Sequence, residues 1–153
     1  MPFFFNRRNA RSFFTAADEL RIVEAIRDAE GRTSGEIRVF IESRCRFVDP
    51  VDRAAEVFFG LQMEKTEDRN GVLLYVAMKD HQLAIFGDEG IHRIVGTDYW
   101  REEVAKILQA FNAAHHVDGI IDIVRDIGTA LVEHFPYQQE DRNELPDNIV
   151  FGN

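Results

Sequence analysis

A single cysteine, Cys45, stands in 153 residues, and one thiol excludes both an intramolecular disulfide and a cysteine-rich zinc site. A reducing compartment is the expectation. Basic residues are scarce as well, 18 against 27 acidic ones, for a formal charge of −9. That balance repels polyphosphate, so no nucleic-acid role is expected, and it favours cations or basic partners. No stretch approaches the roughly 18 apolar residues of a transmembrane helix. The N-terminus, Met1-Pro2-Phe3-Phe4-Phe5-Asn6-Arg7-Arg8, puts its apolar residues before its charges and is far shorter than the core of an export signal. The expected location is therefore cytoplasmic.

Several catalytic signatures are missing too. The chain has no phosphate-binding Gly-Lys-Ser/Thr loop, no Gly-x-Ser-x-Gly elbow and no His-Glu-x-x-His zinc motif. Arg44 and Arg46 would favour a thiolate at Cys45, yet the residue six positions on is Val51 rather than the arginine of a cysteine-phosphatase loop. An EF-hand fails by counting. With Gly71 at the sixth position, the first and twelfth fall on Thr66 and Ala77, which lack the required carboxylates. His115 and His116 fall between two helical patterns, where imidazoles cap carbonyls more readily than they bind zinc.

What the chain does have is core material. Hydrophobic residues make up 45 % and thirteen are Phe, enough for one layered domain. Thr15 followed by Asp18 and Glu19 reads as a helix start, with Leu20, Ile22, Val23, Ile26 and Ala29 as its apolar face and Gly31 near its end. From Glu36 to Glu42 the period becomes two, with Ile37, Val39 and Ile41 on the covered side, which predicts a half-covered strand. Asp49-Pro50 opens a second helix, to about Met63. The continuous apolar run Val72 to Met78 predicts a central strand, and Gln82 to Phe86 folds back on it as a hairpin. A helical turn follows at Ile91 to Val95. Two C-terminal helices start at Thr97-Asp98 and Asp118-Gly119, the second stopped by Phe135-Pro136.

A strand, a helix and a strand in sequence make a βαβ unit, so the first two strands should run parallel. They then start at the sheet edge where the third ends. Thr33-Ser34-Gly35-Glu36, Asp68-Arg69-Asn70-Gly71 and Gly87-Asp88-Glu89-Gly90 should converge there. Such oxygen-rich loops suit a hard divalent cation, Ca2+ or Mg2+, with His92 nearby.

The segments Phe14-Thr15, Glu30 to Val39, Arg69 to Ala77, Phe86 to Val95 and Phe135 to Pro146, taken in order, resemble the TPM domain, the thylakoid acid phosphatase family. The resemblance spans nearly the whole chain and points to a compact cytoplasmic bacterial subgroup. It implies a three-layer α/β/α sandwich with a small mixed sheet, a βαβ unit, a β-hairpin and two C-terminal helices. On that reading residues 1–12 are a basic Phe-rich leader, 13–136 a single TPM-type domain and 137–153 a tail packed on it. The resemblance also implies metal at Glu36, Asp68, Asn70, Gly71 and Asp88 and phosphatase action on phosphomonoesters. The alternative is a non-catalytic protein–protein interaction module stabilised by calcium, its surface drawn from Phe3, Phe4 and Phe5, the helix faces and the tail from Tyr137.

Overall fold

The computed structural model describes residues 10–109, 115–137 and 149–152. The leader rings Phe3, Phe4 and Phe5 and tail residues 138–148 lie outside that range. After a 3-10 turn at Ala10–Phe13 come α1 (Ala16–Glu30), β1 (Glu36–Glu42), α2 (Pro50–Gly60), β2 (Gly71–Ala77), β3 (Gln82–Gly87), α3 (Glu89–Val95), α4 (Thr97–Leu108), α5 (His116–His134) and β4 (Ile149–Phe151). The strands form one mixed sheet in the order β3-β2-β1-β4, with β1 parallel to both neighbours and β3 antiparallel to β2.

Local chemistry sets the element starts. Thr15 and Asp18 form a reciprocal capping box that satisfies two backbone amides at the start of α1. Asp49 accepts from the Val51 amide, and Pro50 occupies a helix position where a missing N–H costs nothing. Asp88 caps α3 by accepting from Glu89, so that helix begins two residues before the expected turn at Ile91. α4 departs from expectation: its cap is Gly96 at φ 85°, a left-handed value that glycine adopts without strain, rather than Thr97 or Asp98. α5 starts at His116, and the His116 Nε2 lies 2.6 Å from the Phe13 carbonyl.

Strand alternation sorts the core into two layers. Ile37, Val39, Ile41, Val72, Leu74, Val76, Leu83 and Ile85 face α1, α4 and α5, meeting Ile22, Ile26, Trp100, Ile123 and Ile127. Phe40, Leu73, Tyr75, Ala77 and Ala84 face α2 and meet Ala54, Val57, Phe58 and Met63. The architecture is an α/β/α sandwich, with α2 on the second face. Where α1 crosses α5, a side chain at Gly128 would come 2.7 Å from the Ala29 Cβ, so the absence of one permits close helix approach.

Two expectations change. β1 is buried along its whole length rather than half covered: its second face packs Phe40 against the α2 layer and ties Glu42 to Arg53, while β4 pairs with Val39, Phe40 and Ile41 along its side. Leu20 is exposed rather than part of the α1 face. Among the described residues no helix is long and apolar enough to cross a membrane.

Candidate functional site

Strand polarity brings the three acidic loops together. Glu36 lies opposite Gly71, and Val72 opposite Gly87, so the starts of β1 and β2 and the end of β3 share one sheet edge. Backbone bonds stitch the loops: Glu36 N–H to the Asn70 carbonyl, Asp88 N–H to the Gly71 carbonyl at 2.9 Å, and Gly90 N–H to the Arg69 carbonyl at 2.8 Å. The Asn70 side-chain amide adds a bond to the Ser34 hydroxyl.

The side chains organise around a residue that the sequence reading passed over. Arg69 adopts φ 51°, uncommon for a residue with a side chain, and points its guanidinium at Asp88. Nε donates to Asp88 Oδ2 at 2.7 Å and Nη2 to Oδ1 at 2.9 Å, while Nη1 reaches Glu89 at 3.3 Å. Such a paired fork is the strongest arrangement open to a carboxylate and a guanidinium. Hydrogen bonding to Asp88, foremost, holds Arg69 above its ordinary range, with Glu89 and Glu64 adding through-space support. Gly90 is required by the same contact, because a Cβ there would lie 2.2 Å from the Asp68 carbonyl oxygen and 2.6 Å from that of Arg69.

The five expected ligands thus fall into two groups. Asp88 and the exposed Asp68 lie at the Arg69 junction. Glu36, only 2 % exposed, instead acts with Glu30 on Arg38, whose guanidinium burial pushes below its ordinary range and the two acids partly restore. Asn70 and Gly71 supply the backbone and amide bonds between these groups. The donors are hard oxygens throughout and fit calcium or magnesium in kind. Among the described residues no three His, Cys, Asp or Glu side chains gather as an ion-holding group. Arg69 holds the counter-ion's place beside Asp88.

From this edge a groove of about 400 Å³ opens along β3. Val51 and Phe59 of α2 wall one side, Trp100, Arg101 and Val104 of α4 the other, and Arg69, Asp88, Glu89 and His92 close its end. At the opposite end of β1, the buried Glu42 accepts Arg53 Nε at 2.8 Å and Nη2 at 3.0 Å, as well as the Tyr75 hydroxyl. Burial, then the bond to Glu42, raises the Tyr75 phenol above its ordinary range. Cys45 is tied nearby through its amide to Asp80 at 2.7 Å. Alternation alone made Glu42 look solvent-facing.

A model of the TPM domain family matches residues 8–130. The NMR structure of BA42 from the psychrophilic bacterium Bizionia argentinensis is 41 % identical, covers 92 % of this chain and 96 % of its own, and superposes with a TM-score of 0.80. The solution structure of the N-terminal domain of cg2496 from Corynebacterium glutamicum is 15 % identical, covers 90 % of this chain and 80 % of its own, with a TM-score of 0.58, and shares the fold. No curated protein matches.

Proposed function

The chain belongs to the TPM domain family, and on that premise we propose that its loop edge takes up a divalent cation of the calcium or magnesium class, which fastens the three loops without itself doing chemistry. The observation that supports this is an excess of carboxylate around one guanidinium. Asp88 and Glu89 bond Arg69, Glu64 acts on it through space, and Asp68 stands exposed at the next position. Three acids acting on one fixed cation, with Asp68 exposed beside it in sequence, favour a second positive charge. Asp68 is the open carboxylate that an arriving ion meets first, with Asp88 and Glu89 available on release of their arginines. Asn70, Gly71 and Glu36 belong to the loops such an ion would order.

Phosphomonoester hydrolysis is the second reading, carried over from the family resemblance. Its support is position: the acids border the β3 groove, which Arg101 and His92 also line and where the Arg101 guanidinium offers the charge that a phosphate needs.

Titration of 15N-labelled protein with Ca2+ or Mg2+, followed by amide NMR, tests the first reading. The amides of Asp68, Gly71 and Asp88 should shift together with a midpoint below about 1 mM, and Asp68→Asn should raise that midpoint about tenfold. Silence at all three amides with both ions at several millimolar would overturn it. For the second reading, turnover of 4-nitrophenyl phosphate must appear with the ion, vanish with chelator and fall in Asp68→Asn; turnover unchanged in that variant removes it.

A further inference from the structure

The two sheet edges differ. β4 has three residues, and a very short edge strand is one way proteins prevent pairing with other chains. β3 has six, carries neither charge nor proline, and keeps an unbroken register with β2. In an antiparallel ladder, successive residues turn their backbone groups alternately toward and away from the partner. The bond from the Asp88 amide to the Gly71 carbonyl fixes the phase: Gln82, Ala84 and Phe86 bond inward, and Leu83, Ile85 and Gly87 face outward. Among the described residues these outward groups have no backbone partner.

This unpaired edge forms the floor of the groove between α2 and α4, recessed so that Leu83 is 5 % exposed and Ile85 4 %. We propose that the groove binds an extended segment of a partner protein as an added strand, apolar on both faces, with one carboxylate side chain meeting Arg101.

Each part of that ligand is set by the wall it meets. Side chains of an added strand alternate between the two faces of the sheet. On the Leu83 and Ile85 face they meet Trp100 and Val104, and on the Ala84 and Phe86 face they meet Phe59, which is 48 % exposed, and Val51. Both walls are apolar, so consecutive apolar residues fit. Arg101 is exposed and, among the described residues, has no carboxylate partner, whereas Asp88 and Glu89 are engaged by Arg69 and, for Glu89, also by Arg93. A carboxylate on the α4 side therefore finds an unpaired cation, and a lysine finds none. One carboxylate suffices, because the chain's own charge of −9 opposes a strongly acidic partner. A second copy is a poorer occupant, since its β3 lies between its own α2 and α4 and the two walled edges obstruct each other.

The inference is independent of ion binding at the loops, so its experiment is run both with Ca2+ and with chelator. Full-length protein is used to select from displayed peptides of about eight residues. Selected peptides should be apolar runs with a single Asp or Glu, and their binding should slow hydrogen exchange at the Leu83, Ile85 and Gly87 amides. Methylating alternate peptide nitrogens should weaken binding about tenfold or more, while methylating the intervening ones should not. Arg101→Glu, at an exposed position, should weaken it by a similar factor with thermal melting unchanged, and Phe59→Ala should weaken it likewise with only a small loss of melting temperature, since its ring also touches Phe58 and Phe86. Failure to select any peptide, or peptides that leave the three amides unprotected, overturns the proposal. So does protection that grows with protein concentration alone, which would assign the edge to a second copy.

Discussion

Asn at position 126 should make the protein more stable at neutral pH, and the reason lies behind the groove wall. α4, which supplies Trp100, Arg101 and Val104 to the groove, carries Glu103 on its buried side. Glu103 Oε2 lies 3.0 Å from Lys106 Nζ, and its buried Oε1 has no donor among the described residues while Asp126 is ionised. Asp126 of α5 faces it. Burial first, then the hydrogen bond and charge of Glu103, push the Asp126 carboxyl up to about 6 from 3.8, with Lys106 pulling the other way. A folded-state value above the unfolded one means that the folded chain binds the extra proton. The stabilisation is complete below about pH 4 and is lost as pH rises through about 6.

Each tenfold in proton affinity is worth about 1.4 kcal/mol, which caps this contribution at about 3 kcal/mol. Asp126 is partly open to water, so screening reduces the expected figure to about 1 kcal/mol. Asp126→Asn stays neutral at every pH and can donate to Glu103 Oε1. Urea unfolding of both proteins at pH 4.5 and pH 7.5 isolates the effect, because other titrating groups cancel in the difference. The variant should gain about 1 kcal/mol at pH 7.5 relative to wild type and little at pH 4.5. A difference that is constant across pH, or a variant weaker at pH 7.5, refutes the reasoning.

At the loop edge, Gly90→Ala sets a methyl against two backbone carbonyls that have no room to yield; a loss of about 2–3 kcal/mol is expected, with faster amide exchange at Asp88 and Gly90. Gly128→Val forces α1 away from α5 and should lower stability by about 2 kcal/mol in urea unfolding, since the first atom added already overlaps Ala29. Glu42→Ala leaves Arg53 and the Tyr75 hydroxyl without their shared acceptor and should cost about 3–5 kcal/mol. Tyr75→Phe keeps the Glu42–Arg53 pair and should cost only about 1 kcal/mol, so equal losses in these two variants would contradict the assigned network.

Local signals in the sequence were strong where chemistry is short-range. The Thr15 and Asp18 box and Asp49-Pro50 each reflect bonds made within a few residues, and those two helices start where the bonds form. Convergence of the loops was equally legible, because parallel strands joined by a helix and followed by a hairpin leave one arrangement of strand ends. β4 was not. Three apolar residues are too few for a period, and the strand owes its place to the open side of β1 rather than to any preference of its own.

The polar residues of β1 show why alternation misleads at a site. A period of two separates apolar from polar side chains, but it does not separate polar groups that face water from those buried on a partner. Arg38 is 5 % exposed and Glu42 is 6 % exposed; the second is tied to Arg53, eleven residues on, and to Tyr75, on another strand. Asp88 illustrates the same limit in the loops. Strand polarity located the acidic edge, yet on the proposed reading an ion's access would depend on how firmly Arg69 is held. That depends on a left-handed backbone at Arg69 and on a glycine twenty-one residues later whose bare Cα admits the Asp68 and Arg69 carbonyls. A site whose acids are already paired is opened by exchange of partners, and the exchange is decided by residues that carry no negative charge.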